Sequence, residues 1–229
     1  MRRRRAAISA RERWTSGLSA YCADALNSQG FMALATPRVG RIIDLLELRP
    51  GRRYLDIGCG TGAFADLIAS KAGMDEPPIT LDINGGSGPV DITGWPEKLP
   101  FRDESFDCIT SFYFLRRFDD DVCRAFAEEI SRILAPGGSA LFLEFAPVRS
   151  DLLTRLHTRL LGFGCAEVDL RGWGRLAALY TEVGFDAINL VNVGPFLVPP
   201  LPRVGVLVRR AEAPPAGNQE PIRDSGDPG

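Results

Sequence analysis

The segment Asp56-Ile57-Gly58-Cys59-Gly60-Thr61-Gly62 constrains the fold more than any other part of this chain. Glycine at every second position continues neither a helix nor a strand. The short apolar run Tyr54 to Ile57 leads straight into these glycines, and Ala63 to Ala72 behind them reads as a helix. A strand passing through a glycine-rich bend into a helix is the opening unit of a doubly wound α/β sheet. Without side chains, such a bend turns tightly and lets backbone approach a ligand. The helix that follows begins with unpaired backbone N–H groups.

The rest of the chain continues this pattern. Val39, Ile42, Ile43, Leu45 and Leu46 recur at helical spacing, and that helix stops near Arg49-Pro50-Gly51. Ile79 to Ile83 reads as a second strand, Val90 to Ile92 as a brief third and Phe106 to Phe112 as a fourth. Asp119 to Leu134 reads as a helix and Ser139 to Phe145 as a fifth strand. Helices over Leu152 to Leu161 and Trp173 to Val183, with strands over Ala187 to Val193 and Val204 to Val208, complete the series. Alternating strands and helices predict a mostly parallel sheet covered on both faces. Between Asp82 and Asp91 the run Asn84-Gly85-Gly86-Ser87-Gly88 predicts a loop where a crossover helix is usual.

With 229 residues and 45% hydrophobic content, the chain suits one such domain, placed at residues 36–210. Residues 1–35, with Trp14, Tyr21, Phe31 and Met32, are expected as a helical extension or lid, with Tyr21 a candidate substrate contact. Residues 211–229 are Pro, Gly and charge without periodicity and are expected to be disordered.

A net charge of -2 provides no field for nucleic acid or an anionic membrane. The basic stretch Met1 to Arg5 is read as a solvated end. No apolar h-region follows it, so no secretory signal is expected. No run approaches a membrane span. Five cysteines without paired spacing fit a reduced, cytoplasmic chain with no metal site. The expected partner is a small molecule, with homodimerisation left open.

Asp82 lies twenty residues past Gly62, at the end of the second strand, where a carboxylate can accept from both hydroxyls of a ribose. Gly58, Gly60 and Ala63 also fit the spacing of dinucleotide sites, so a nicotinamide dehydrogenase is an alternative. Asp56 argues against it. A carboxylate there repels a pyrophosphate but attracts the ammonium group of a sulfonium cofactor.

Three further segments carry a family likeness: Leu99-Pro100-Phe101-Arg102-Asp103-Glu104-Ser105-Phe106-Asp107, Glu129-Ile130-Ser131-Arg132-Ile133-Leu134-Ala135-Pro136-Gly137-Gly138, and Gly184-Phe185. Across Gly40 to Arg209 the chain resembles the class I S-adenosylmethionine-dependent methyltransferases, including ubiquinone-type and natural-product enzymes. The resemblance implies a Rossmann-like three-layer sandwich with a seven-stranded sheet, its last strand antiparallel. It implies that Asp56, Gly58, Cys59, Gly60, Thr61 and Gly62 surround the methionine half of S-adenosylmethionine. Asp82 would hold the ribose, Ile83 the adenine face, Asp91 with Ile92 the adenine amino group, and Ser111 with Phe112 the methyl-donor pocket. The stretch from Asp91 to Leu99 is longer than the family's usual one. Leu115-Arg116-Arg117-Phe118-Asp119 stands where relatives often carry a histidine, so a mechanism using that base does not transfer.

Methyl transfer from a sulfonium is an in-line displacement, in which alignment does much of the work. His157, the sole histidine, is a candidate base, or else a structural or surface residue of an amphipathic helix. Tyr113 is a candidate floor of a substrate cavity or a core residue. Arg116 and Arg117 could clamp an anion or be solvated, and Glu144 and Glu167 are further acids. Thr110-Ser111-Phe112-Tyr113 lacks the Pro-Pro motif of enzymes that methylate amide or base nitrogens. Small-molecule O-methylation is therefore favoured, slightly, over C- or N-methylation. One alternative uses the cofactor as a fixed cation in a cyclisation or rearrangement. Another is a non-catalytic partner that retains the fold, against which the intact glycine bend argues.

Overall fold

Strand β1 (Tyr54–Ile57) is buried throughout, and its side chains alternate between two apolar layers. Tyr54 enters a layer with residues 39–46 (α1) and α2 (Ala63–Ala72), through Val39, Ile42, Leu46, Ala65 and Ile68. Leu55 and Ile57 enter the other, built on Phe126 and Ile130 of α3 (Asp120–Ile133) and Leu176 and Tyr180 of α5 (Trp173–Glu182). A strand buried on both faces needs a neighbour on each edge and a helix layer on each side. The chain supplies both. The computed structural model describes residues 39–83, 90–161, 168–185, 187–191 and 202–212. The expected lid at 1–35, the glycine-rich loop after Ile83 and most of the C-terminal tail lie outside them.

The sheet has seven strands in the order β3-β2-β1-β4-β5-β7-β6. Beside β1 stand β2 (Ile79–Asp82) and β4 (Phe106–Phe112), both parallel to it. Further out, β3 (Ile92–Thr93) and β5 (Leu134–Phe145) are also parallel to their neighbours. β7 (Arg203–Arg209) runs antiparallel between β5 and β6 (Ala187–Val191), as the resemblance implied. Strand order reverses between β1 and β4, and a doubly wound sheet opens its ligand crevice at such a point, beyond the carboxyl ends. No described helix is long and apolar enough to cross a membrane.

β5 begins five residues earlier than the expected Ser139. Phe106 pairs with Leu134 and Cys108 with Ser139, so residues 135–138 swell out of the ladder and pairing resumes beyond them. Gly137 takes φ 72°, and a Cβ on Gly138 would lie 2.8 Å from the Ala135 carbonyl. The Pro-Gly-Gly run thus serves as a bulge within the strand. α4 (Asp151–Leu161) follows β5.

One hydrogen-bonded staple joins the segments Leu99–Asp107 and Glu129–Gly138. Arg132 forks onto both Glu129 oxygens at 2.9 and 2.7 Å, onto Asp103 at 2.9 Å, and onto the carbonyls of Phe101 and Leu99 at 2.7 and 3.1 Å. Glu129 in turn accepts the Leu99 N–H at 2.7 Å. Burial alone would raise the Glu129 carboxyl, but Arg132 and that N–H hold it below its ordinary value. The staple fixes the loop into β4 upon α3. Arg132→Ala is expected to lower stability by about 2 kcal/mol, the scale of lost charged hydrogen bonds, and Tm by roughly 4–8 °C in thermal unfolding. Arg132→Lys, which keeps the charge without the fork, is expected to recover less than half of that loss.

Candidate active site

Gly58, Gly60 and Gly62 have φ of 75°, 62° and 78°, all in the left-handed region that side chains disfavour. Their spacing answers a backbone demand. The bend is tied down as it turns: Gly58 N–H donates to the Leu81 carbonyl at 2.7 Å and Gly62 N–H to Cys59 at 3.0 Å. At Gly58 the room left by the missing side chain is taken by the protein itself. A Cβ there would lie 2.6 Å from Cγ of Phe114. Phe114 packs in turn on Phe118 and Phe126, with ring centroids 5.0 and 6.0 Å away.

Asp82 holds the bend from the neighbouring strand. One carboxylate oxygen accepts the Gly60 N–H at 3.0 Å and the other the Ile83 N–H at 2.7 Å. The Asp82 carbonyl takes the Gly94 N–H, bringing the exit of β3 alongside. Each Asp82 oxygen keeps acceptor capacity for a ligand hydroxyl.

Asp91 does not join this group, which corrects its expected place beside an adenine. Its carboxylate accepts from both N–H and hydroxyl of Thr80, each at 2.8 Å, and its own N–H returns to Thr80 Oγ1 at 3.1 Å. The reason is the brevity of β3. Pairing starts at Ile92, so the Thr80 N–H on the outer edge of β2 takes a side-chain partner instead. Gly94 and Trp95 stand at the carboxyl end of β3. The side chain of Ile83 is 3% exposed and belongs to the core, and the half-buried Ile92 packs against the same layer.

Asp56 faces the α1–α2 side, where Tyr54, Thr110 and Asp56 form a chain. The Thr110 hydroxyl lies 2.8 Å from Tyr54 Oη and donates to Asp56 at 2.6 Å. Burial raises the Asp56 carboxyl to about 7, with further push from Asp82 and Asp66 against the pull of Thr110. Sequence reading missed Thr110, whose role depends on β4 lying beside β1. Cys59 is a neutral thiol, since burial and the two nearby carboxylates drive its pKa far upward.

On β4, Ser111 and Phe112 part company. Phe112 reaches toward the bend and tilts against Phe64 in the first turn of α2, centroids 5.6 Å apart. Ser111 is 1% exposed, its Oγ without a partner among the described residues. That places it in the core. Tyr113 has φ 56°, stacks on Phe145 at 4.4 Å and accepts from Arg203 at 2.9 Å. Burial raises its hydroxyl above the ordinary phenol value, so it is no ready base. Arg116 is not solvated as expected: it is buried, its guanidinium 5.7 Å from the Phe145 ring centre. His157 lies in α4, with its side chain outside the described residues, as are Tyr21 and Glu167. The described residues include no cluster that could hold a metal ion.

Among the described residues neither Asp56 nor Asp82 has an ion-pair partner. Two carboxylates beside a side-chain-free bend suit a ligand with a cationic end and vicinal hydroxyls. S-adenosylmethionine, with its ammonium, sulfonium and ribose, fits; a pyrophosphate between them would be repelled.

Comparison with known proteins agrees. A family model described as a methyltransferase domain matches residues 27–190. The ubiquinone/menaquinone biosynthesis C-methyltransferase UbiE of Pseudomonas paraeruginosa is 34% identical over 132 residues, covering 50% of this chain and 50% of that one. The chain thus aligns with about half the length of such curated relatives. Human N-acetylserotonin methyltransferase, solved with S-adenosylmethionine, superimposes with TM-score 0.63 at 20% identity, covering 84% of this chain and 55% of that one. The PH0226 protein of Pyrococcus horikoshii gives 0.60 at 17% identity, covering 81% and 94%. At these identities the two structures speak for the fold.

The state of Asp56 sets a pH dependence. Its carboxylate attracts an ammonium group and its neutral acid does not, so S-adenosylmethionine binding, followed by calorimetry, is expected to tighten as pH rises through about 7 and then level off. Asp56→Asn is expected to remove that slope and weaken binding about 10- to 100-fold above pH 8, the range of a charged hydrogen bond. Without ligand the linkage has the opposite sense. Between about 4 and 7 the folded chain keeps a proton that the unfolded chain releases, so Asp56 makes stability fall as pH rises across that window.

Proposed function

Because the chain belongs to the methyltransferase-domain family of S-adenosylmethionine-dependent enzymes, we propose that it methylates a small molecule, at a carbon of an electron-rich phenol or enol. The observation carrying this reading is the pair of carboxylates, Asp56 and Asp82, at a bend of left-handed glycines. When bound, S-adenosylmethionine supplies an electrophilic methyl carbon on a cationic sulfur. Asp82 receives ribose hydroxyls while keeping its grip on the Gly60 and Ile83 N–H groups. Asp56 lies on the methionine side, and Phe112, packed on Phe64, bounds the space beside the bend. The chain's contribution is then to align acceptor and methyl carbon and to exclude water, worth on the order of 7–11 kcal/mol for well-oriented pairs.

Sequence alone leaned slightly toward oxygen. Two considerations favour carbon. The curated relatives carry the name C-methyltransferase. A phenol or enol also pushes electron density onto its own carbon and needs little help from a base. Tyr113, the hydroxyl at the end of β4, is an unready base.

The test is incubation with S-adenosylmethionine carrying a carbon-13 methyl group and a panel of phenols, quinols and enols. A product heavier by one methyl, a carbon-13 shift typical of C-methyl and release of S-adenosylhomocysteine are expected. A methoxy shift would return the reading to oxygen. A product of unchanged mass, with the cofactor intact, would replace methyl transfer by cofactor-assisted rearrangement.

A further inference from the structure

Glu144 stands in the run Leu141-Phe142-Leu143-Glu144-Phe145 near the carboxyl end of β5, where every neighbour is apolar and buried. At 3% exposure it is as deep as they are. Its Oε1 accepts the Leu115 N–H at 2.6 Å, while its Oε2 is buried with no hydrogen-bond partner among the described residues. Burial pushes its carboxyl up to about 7, against the pull of Arg116, the Leu115 N–H, Arg171 and Arg117. A carboxyl group with an unsatisfied oxygen is a poor filler for such a position, where an apolar residue of similar volume is commonly the more stable choice. Its one hydrogen bond points to what it holds.

What it holds is the segment Tyr113–Phe118 after β4, including the short 3₁₀ turn Leu115–Arg117. Tyr113 N–H donates to the Leu143 carbonyl at 2.7 Å, and Asp169 N–H to the Arg116 carbonyl at 2.8 Å. Arg171, 2% exposed, donates to the carbonyls of Leu115 and Phe118 at 3.0 and 2.6 Å and is itself held by Asp120 at 2.8 Å and Asp169 at 3.1 Å. The left-handed backbone of Tyr113 is one a tyrosine seldom adopts, and it persists where surroundings dictate it. Immediately after it comes Phe114, whose ring occupies the space beside Gly58. Glu144 grips the very next N–H. Among these contacts, Glu144 takes the N–H that directly follows Phe114, while Arg171 takes the Leu115 carbonyl one step further on.

We propose that Glu144 is a positioning residue for the cofactor site: by holding the Leu115 N–H it seats the Phe114 ring against Gly58 and so fixes the bend that receives S-adenosylmethionine. The proposal rests on cofactor binding at that bend and is independent of the acceptor.

The test is a double-mutant cycle read as S-adenosylmethionine affinity by calorimetry on the full chain, with thermal unfolding followed in parallel. Glu144→Ala and Phe114→Ala are each expected to weaken binding about tenfold, and the double variant no more than either alone, because both release the same ring. Glu144→Gln, which keeps an acceptor for Leu115, is expected to stay within about threefold of wild type. Leu179→Ala, which loosens the same apolar layer away from this segment, is expected to lower Tm and leave affinity unchanged. If Glu144→Ala does not fold, Glu144→Asp takes its place, its shorter side chain falling short of Leu115. Affinity within twofold of wild type for the Glu144 variant, or fully additive losses in the cycle, overturns the proposal. Absence of binding by the wild-type chain overturns instead the cofactor reading on which it rests.

Discussion

The hydrogen bond from Gly60 N–H to the Asp82 carboxylate is the contact on which the site depends. It joins the bend after β1 to the end of β2, and it is short enough to make only if the two strands lie in register. That register is set by the ladder running from Leu55 and Ile79 to Ile57 and Leu81. The apolar layers above and below hold the ladder flat against both helix pairs. Burial of Leu55, Ile57 and Leu81 therefore serves binding by placing one carboxylate within reach of one backbone N–H.

Two carboxyl groups raised to about 7 by burial stand near the carboxyl ends of the sheet, on opposite sides of it. Asp56 shares the α1–α2 side with Tyr54 and Thr110, and Glu144 the α3–α5 side with Phe142 and Tyr180. Their settings differ. Asp56 has a neutral hydroxyl and two repelling acids around it, an arrangement that a cationic ligand relieves. Glu144 has arginines close by and a backbone N–H in hand, an arrangement already resolved within the protein. The same depth of burial thus leaves one carboxyl in the field of two other acids and makes the other an internal fastening.

What could be read from sequence was local. Glycine spacing announced the bend, and apolar periodicity placed α2 at its observed limits, because both depend on residues near one another in the chain. The Pro136-Gly137-Gly138 run concealed the first part of β5, since a bulge and a turn use the same residues. Asp91 misled because counting along the chain says nothing of which N–H groups a short strand leaves unpaired. Thr110 and Arg171 gave no signal at all, their importance arising chiefly from neighbours 51 to 56 positions away. Glu144 was legible only as a further acid, not as a contact to Leu115.

The Thr80–Asp91 pairing has a bearing on how the molecule behaves in company. Among the described residues β3 pairs with only two positions of β2, and an unpaired strand margin is a route by which sheets join into aggregates. The Asp91 carboxylate occupies the Thr80 amide and leaves an exposed acidic side chain on that margin. A visiting strand would have to evict it and accept a negative charge in the seam. Among the described residues, one side chain thereby guards the rim beside the abbreviated strand.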